Sequence, residues 1–174
     1  MLGIKNDFLV LGSNDAPVKI EVFLNLACPY CATFYDLVDE VLIDYIQQNK
    51  VSFIVKHFDK PREMLLPGAL INLNLDYGNP QKTLNDIKQL FKEQSTWDQY
   101  SSHEIKKYIE EKYNLKEEPS NIDRSLSIIG ETIERNVKMV PTVFVNNIEF
   151  QYPRELSAGE LKQVIEQQLQ KIEA

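Results

Sequence analysis

The order of apolar and polar positions divides the chain into a β-rich start, a long helical middle and a β-rich end. Phe8-Leu9-Val10-Leu11 is a short apolar run closed by Gly12-Ser13-Asn14-Asp15 and Pro17, which predicts a first strand. Val18–Leu24 predicts a second strand. After it, Phe34, Leu37, Val38, Val41, Leu42 and Tyr45 recur at three- and four-residue spacing, so residues 33–48 predict an amphipathic helix. Val51-Ser52-Phe53-Ile54-Val55-Lys56-His57-Phe58 is β-branched and aromatic and predicts a third strand. Strand, helix and strand at this spacing make a βαβ unit, which crosses over right-handed into parallel pairing.

From residue 60 to residue 138 strand-like runs vanish and helical periodicity takes over. Pro67 opens one helix, through Leu70, Ile71 and Leu75 to a stop at Gly78-Asn79. Pro80 opens a second, with Leu84, Ile87, Leu90 and Phe91 on one face. Ser101-Ser102-His103-Glu104 caps a third, with Ile105, Tyr108 and Ile109 inside, and Ser120 caps a fourth carrying Ile122, Leu126, Ile129 and Ile133. The β pattern then returns as Val140-Pro141-Thr142-Val143-Phe144-Val145, a tight Asn146-Asn147 turn and a returning Ile148-Glu149-Phe150. Ser157-Ala158-Gly159-Glu160 is a capping box that opens a last helix through Leu161, Val164, Ile165 and Leu169. The pattern predicts a single α/β domain over residues 1–174. An all-helical insertion, about residues 61–137, separates its βαβ half from a C-terminal ββα half.

Composition narrows the partners. At 174 residues, 43% hydrophobic and 26% charged, the chain is an ordinary globular protein with room for a real core. Its net charge of −7 argues against nucleic acid, and the densest basic spot, Lys106-Lys107, runs straight into Glu110-Glu111. No apolar run approaches the roughly 18 residues that a membrane span needs. The start, Met1-Leu2-Gly3-Ile4-Lys5-Asn6-Asp7, has no basic n-region, apolar h-region or cleavage site. Taken literally this reads as cytoplasmic, and as extracytoplasmic where a leader has been removed.

The chemistry concentrates in Cys28-Pro29-Tyr30-Cys31, which holds both cysteines of the chain and sits where a strand turns into a helix. The first turn of a helix has backbone N–H groups without partners, and the helix dipole adds positive charge there. A thiolate at that point is stabilised, and its pKa falls below the free-cysteine value of about 8.5. Cys28 is expected at the N-cap and Pro29 at the first helical position, with Cys31 one turn on and inside. Cys28 is then the attacking sulfur and Cys31 the resolving one. Structural zinc needs four ligands. His57 and His103 are the only other good candidates and fit no zinc spacing, so no metal is expected. Both histidines read as surface or internally satisfied side chains, and Trp97 reads as packing.

Cys28-Pro29-Tyr30-Cys31, a helical insertion and then Val140-Pro141-Thr142 resemble the thioredoxin superfamily, in particular its DsbA-like branch with a Cys-Pro-Tyr-Cys site. The lead-in Gly12-Ser13-Asn14-Asp15-Ala16-Pro17-Val18 resembles that branch as well. The resemblance implies a thioredoxin fold and thiol–disulfide oxidoreductase activity. It further implies cysteine-containing protein or peptide substrates, an unidentified redox partner, and no cofactor beyond the dithiol itself. It also implies a cis bond before Pro141, turning the Val140 backbone towards the cysteines to pair with an extended peptide. Cys28, Cys31 and Pro141 are thus the expected catalytic set, and Pro29, Tyr30 and Val140 the expected substrate-facing one. One position departs from the pattern. The family usually buries an acidic residue six positions before the first cysteine, and Val22 stands there. Strand alternation points its neighbour Glu21 to the other face. Either a bulge re-aims Glu21 or the chain lacks this proton relay, and alternation favours the loss. The rival functional reading is a thioredoxin-fold adaptor whose redox pair is sensing or vestigial, since fold does not fix function.

Overall fold

The computed structural model describes residues 7–173; residues 1–6, on which the leader reading largely rests, lie outside them. In chain order the elements are β1 (Leu9–Leu11), β2 (Val18–Leu24), α1 (Pro29–Gln47), β3 (Val51–His57), α2 (Leu66–Asn72), α3 (Pro80–Lys92), α4 (Gln94–Trp97), α5 (Ser102–Tyr113), α6 (Ser120–Glu134), β4 (Thr142–Val145), β5 (Ile148–Gln151) and α7 (Ala158–Glu173). A single 3₁₀ turn, Glu63–Leu65, leads into α2. The sheet order is β1-β3-β2-β4-β5. β2 and β3 run parallel, as the crossover through α1 requires, and the other neighbours are antiparallel. The topology is the expected one, a βαβ half and a ββα half sharing one sheet with α2 to α6 between them.

The two faces of the sheet are covered separately. Val18, Ile20, Val22 and Leu24 of β2 alternate onto one face, where they join Val51, Phe53 and Val55 of β3, Phe34, Val38 and Leu42 of α1, and Leu161 and Ile165 of α7. On the other face Phe23, Phe58, Ile128, Val137 and Phe144 form a smaller cluster under α6. The Ser101–Glu104 capping box is complete, and Asn146 takes the left-handed conformation that the hairpin turn demands.

Two elements of the insertion, α2 and α6, differ from expectation. α2 stops at Asn72 instead of running on to Leu75. There the Asn121 side-chain amide donates to the carbonyls of Asn72, Leu73 and Leu75 at 3.2, 3.1 and 2.8 Å. Ser120 is the first helical residue of α6, Pro119 is its N-cap, and the Ser120 hydroxyl donates to Glu118. Most tellingly, Ile122, Leu126 and Ile133 point to solvent, 51%, 60% and 76% exposed, while Asn121, Ile128 and Thr132 face inward. Polar anchors set that rotation: Asn121 plugs the end of α2, Ser125 donates to Asp59, and Glu131 pairs with Lys56. A buried donor or acceptor left without a partner costs more than an exposed isoleucine does.

Candidate active site

Side chains meet four backbone groups of the short link from β2 to α1. Leu26 N–H donates to His57 Nε2 at 3.1 Å, and Ala27 N–H to Asn25 Oδ1 at 2.9 Å. Cys28 N–H closes a turn on the Asn25 carbonyl at 3.0 Å. Gln94, from α4, donates its amide to the carbonyls of Leu26 and Cys28 at 2.6 and 3.0 Å. Asn25 is held in turn by donating to the carbonyls of Phe58 and Leu65 at 3.1 and 3.3 Å. Gly68 of α2 lies against this link so closely that a Cβ there would sit 1.9 Å from Asn25 Oδ1 and 2.8 Å from Ala27 N. Only glycine allows the helix to come so near.

The hydrogen bond from Leu26 sets the tautomer of the His57 ring. Because Nε2 accepts, the ring proton is on Nδ1, which donates to Asp59 Oδ1 at 2.8 Å. Asp59 also accepts from Ser125 at 2.5 Å and Asn72 at 2.8 Å. Burial works to raise the Asp59 pKa, but His57, Ser125 and Asn72 outweigh it and hold the carboxyl below its ordinary 3.8. His57 is 2% exposed and satisfied at both nitrogens. It sits beneath the active link rather than on the surface.

Cys28 is the N-cap of α1 and Pro29 its first residue. The Cys28 sulfur accepts from Cys31 N–H at 3.3 Å, and in its thiol form donates to the Val140 carbonyl at 3.7 Å. Both sulfurs are free thiols. The Cys31 side chain does most to favour the Cys28 thiolate. Burial opposes it, and the backbone N–H groups of Cys31 and Tyr30 add to it, so the pKa falls from 9.0 to about 7. Cys31 is fully buried, and burial together with the neighbouring Cys28 pushes its thiol well above 9.0. The two sulfurs are therefore unlike: Cys28 is about half ionised at neutral pH by that value, and Cys31 keeps its proton.

The Val140–Pro141 peptide bond is cis, in the loop facing Cys28. Thr142 Oγ1 donates to the Met139 carbonyl at 2.7 Å, and Lys60 reaches across from the insertion to the Lys138 carbonyl at 2.6 Å. Beneath the cysteines, Val22 pairs with Val55 on β3 and Val143 on β4 in unbroken register, so β2 carries no bulge. Glu21 lies on the opposite face, bonded to Lys56 at 2.7 Å and Arg135 at 2.8 Å. Of the two alternatives left open at Val22, the bulge is not the one taken.

Two grooves flank the exposed edge of this site. One, of about 300 Å³, is lined by Cys28, Pro29, Tyr30, Lys60, Arg62, Met64, Leu65, Met139 and Val140. The other, of about 350 Å³, shares Tyr30, Met139 and Val140 and continues along Gln151, Tyr152, Pro153 and Arg154. All six residues singled out from the sequence, Cys28, Cys31, Pro141, Pro29, Tyr30 and Val140, thus meet at one place. Asn25, His57, Gly68 and Gln94 were missed. A lone asparagine in an apolar link was a usable signal for the first, but Gln94 lies 66 residues from Cys28 in the chain and no local pattern marks it.

Known proteins share this fold. Residues 5–167 match the model of a thioredoxin family. Among solved structures, a conserved protein of unknown function from Enterococcus faecalis V583 superposes with a TM-score of 0.85 and 30% identity, over 91% of this chain and 89% of that one. Oxidised BdbD from Bacillus subtilis does so at 0.70 and 19%, over 94% of each chain. A protein-disulfide isomerase from Novosphingobium aromaticivorans does so at 0.67 and 17%, over 95% and 99%. The last two, at such low identity, speak for the fold alone. No curated protein matches the chain in sequence. With a family model that spans residues 5–167, the chain belongs to the thioredoxin family.

Proposed function

We propose that the protein is a DsbA-like thiol–disulfide oxidoreductase that exchanges disulfides with cysteines of protein or peptide substrates. The observation that carries this reading is the asymmetry of the pair: one sulfur acidified to about 7 at a helix N-cap, the other buried and protonated one turn below. The likeness in fold to oxidised BdbD and to a protein-disulfide isomerase supports it.

In the reducing direction the Cys28 thiolate attacks one sulfur of a substrate disulfide, forming a mixed disulfide and releasing the other substrate sulfur as a thiolate. Cys31 then loses its proton, attacks Cys28 and expels the second substrate sulfur. The products are a substrate dithiol and a Cys28–Cys31 disulfide. The oxidising direction is the same path reversed. The Val140 backbone beside cis-Pro141 offers an edge on which an extended substrate segment can lie, with Pro29 and Tyr30 forming the opposite wall. Since Val22 supplies no carboxylate under Cys31, its proton must leave to the departing substrate thiolate or to water. Resolution by Cys31 is accordingly expected to be the slow step.

The test is reduction of insulin and oxidation of a reduced two-cysteine peptide by the wild type, Cys28→Ser and Cys31→Ser. The wild type should turn over, Cys28→Ser should fall to the uncatalysed rate, and Cys31→Ser should accumulate mixed disulfide. Equal binding of a partner by wild type and Cys28→Ser, with turnover by neither, would make the protein an adaptor instead.

A further inference from the structure

We propose that the two grooves select substrate segments in which an apolar and an acidic side chain flank the reacting cysteine, with Arg62 and Arg154 as the selecting cations. The inference rests on the exchange reading above and adds the class of substrate to it.

The walls beside Cys28 are apolar and open. Tyr30, Met64 and Met139 are 59%, 57% and 54% exposed around it, and the buried Leu65 lines the groove of about 300 Å³. Flexible thioether side chains fit apolar partners of varied shape. The charges on the rim are all of one sign. Lys60 and Arg62 line one groove and Arg154 the other, and among the described residues no aspartate or glutamate lines either. This happens in a chain with 26 acidic against 19 basic residues, so the rim runs against the charge of the whole. Glu63, next to Arg62 in the chain, lines neither groove. Asp59 is bonded to His57, Ser125 and Asn72, and Glu155 accepts from Gln151 N–H in an adjoining cleft. Lys60 is tied to the Lys138 carbonyl, whereas among the described residues no ion pair holds Arg62 or Arg154 at the two ends.

An extended segment advances about 3.3 Å per residue, so side chains two or three places from the bonded cysteine come within reach of either arginine. Like-charged segments are repelled by the same field, which sharpens the choice. One exposed ion pair and the avoided repulsion together amount to a preference of about tenfold at low salt, and screening removes most of it in molar salt.

The experiment uses three peptides of equal length in which serine replaces the cysteine, a leucine follows it, and glutamate, glutamine or lysine flanks the pair. Affinity for the intact protein is read by NMR titration. The glutamate peptide should bind about tenfold more tightly than the lysine peptide at low salt, with the ratio falling towards one in molar salt. The Arg62→Gln variant should shrink the ratio, and the Arg62→Glu/Arg154→Glu double variant should invert the order. Equal affinities, no measurable binding, or an order unchanged by the variants would overturn the proposal. Serine peptides cannot exchange disulfides, so the two readings fail separately. A glutamate preference without insulin reduction counts against the catalytic reading, and turnover without a charge preference counts against this one.

Discussion

Val22 and Glu21 are neighbours on β2 and belong to opposite chemistries. The Val22 face looks towards the cysteines through Val55 and Val143, and His57, paired with Leu24, is its ionisable side chain on β2, β3 and β4. The Glu21 face carries a compact charge network, with Lys56 bonded to Glu21 and Glu131, and Arg135 bonded to both carboxylates. Arg135 lies 4.0 Å over the Phe144 ring and Lys56 5.4 Å over that of Phe23. Buried charge is thus used to fasten α6 to the sheet, while the reactive thiol is acidified by its neighbouring thiol and by backbone N–H groups. Anchoring and redox chemistry are separable in this molecule, on two sides of one strand.

The strongest way to break that comparison is Lys56→Met. It leaves Glu21 and Glu131 to share Arg135, and loss of one partner from a buried ion cluster costs about 3 kcal/mol, or about 10 °C of Tm at this size. The Cys28 titration midpoint should not move. A shifted midpoint in a variant of unchanged Tm would mean that the faces communicate. The network also has a signed pH dependence. Burial raises the Glu21 pKa, but hydrogen bonds from Arg135 and Lys56 outweigh it, so the folded value lies below 4.5. Its stabilisation is complete above the unfolded carboxyl range and lost as pH falls through the folded value. The Tm deficit of Lys56→Met should therefore shrink on acidification below about pH 4.

On the other side of the strand, His57→Leu removes the acceptor of Leu26 N–H and a partner of Asp59. The expected cost is about 2 kcal/mol, with slower alkylation of Cys28 because its link is no longer held. His57→Gln, which can offer an oxygen to Leu26, should recover most of the alkylation rate. Equal rates in both variants would reduce His57 to packing. Gly68→Ala should cost somewhat less, about 1–2 kcal/mol, by driving the Asn25 amide off Ala27 N–H. Chemical denaturation and the alkylation rate read both effects. The smallest change is predicted on α6, where Leu126→Ser should alter stability by less than about 0.5 kcal/mol. A loss of several times that would mean that the Leu126 face is covered.

That last prediction marks where sequence reading went astray. Ile122, Leu126, Ile129 and Ile133 have the spacing of a buried stripe, yet the rotation of α6 obeys Asn121, Ser125 and Glu131. Apolar periodicity reports burial only when packing alone sets the helix; here buried carbonyls and a buried lysine needed partners first. The βαβ unit, the closing hairpin and the Cys28–Cys31 turn were legible because each rests on local spacing. Alternation alone placed Glu21 correctly, since the period of two admits no other answer without a bulge. Asn25, His57, Gly68 and Gln94 were not legible as a set, because what unites them is a link of four residues reached from four parts of the chain. Polar side chains that serve backbone groups leave no periodic trace.

The central claim is the unusual acidity of one sulfur, and ultraviolet titration of the thiolate in the reduced protein tests it most directly. The account predicts a single ionisation with a midpoint near pH 7, absent in Cys28→Ser, with Cys31 silent because its pKa is held well above 9.0. A midpoint at the free-cysteine value of about 8.5 would contradict it.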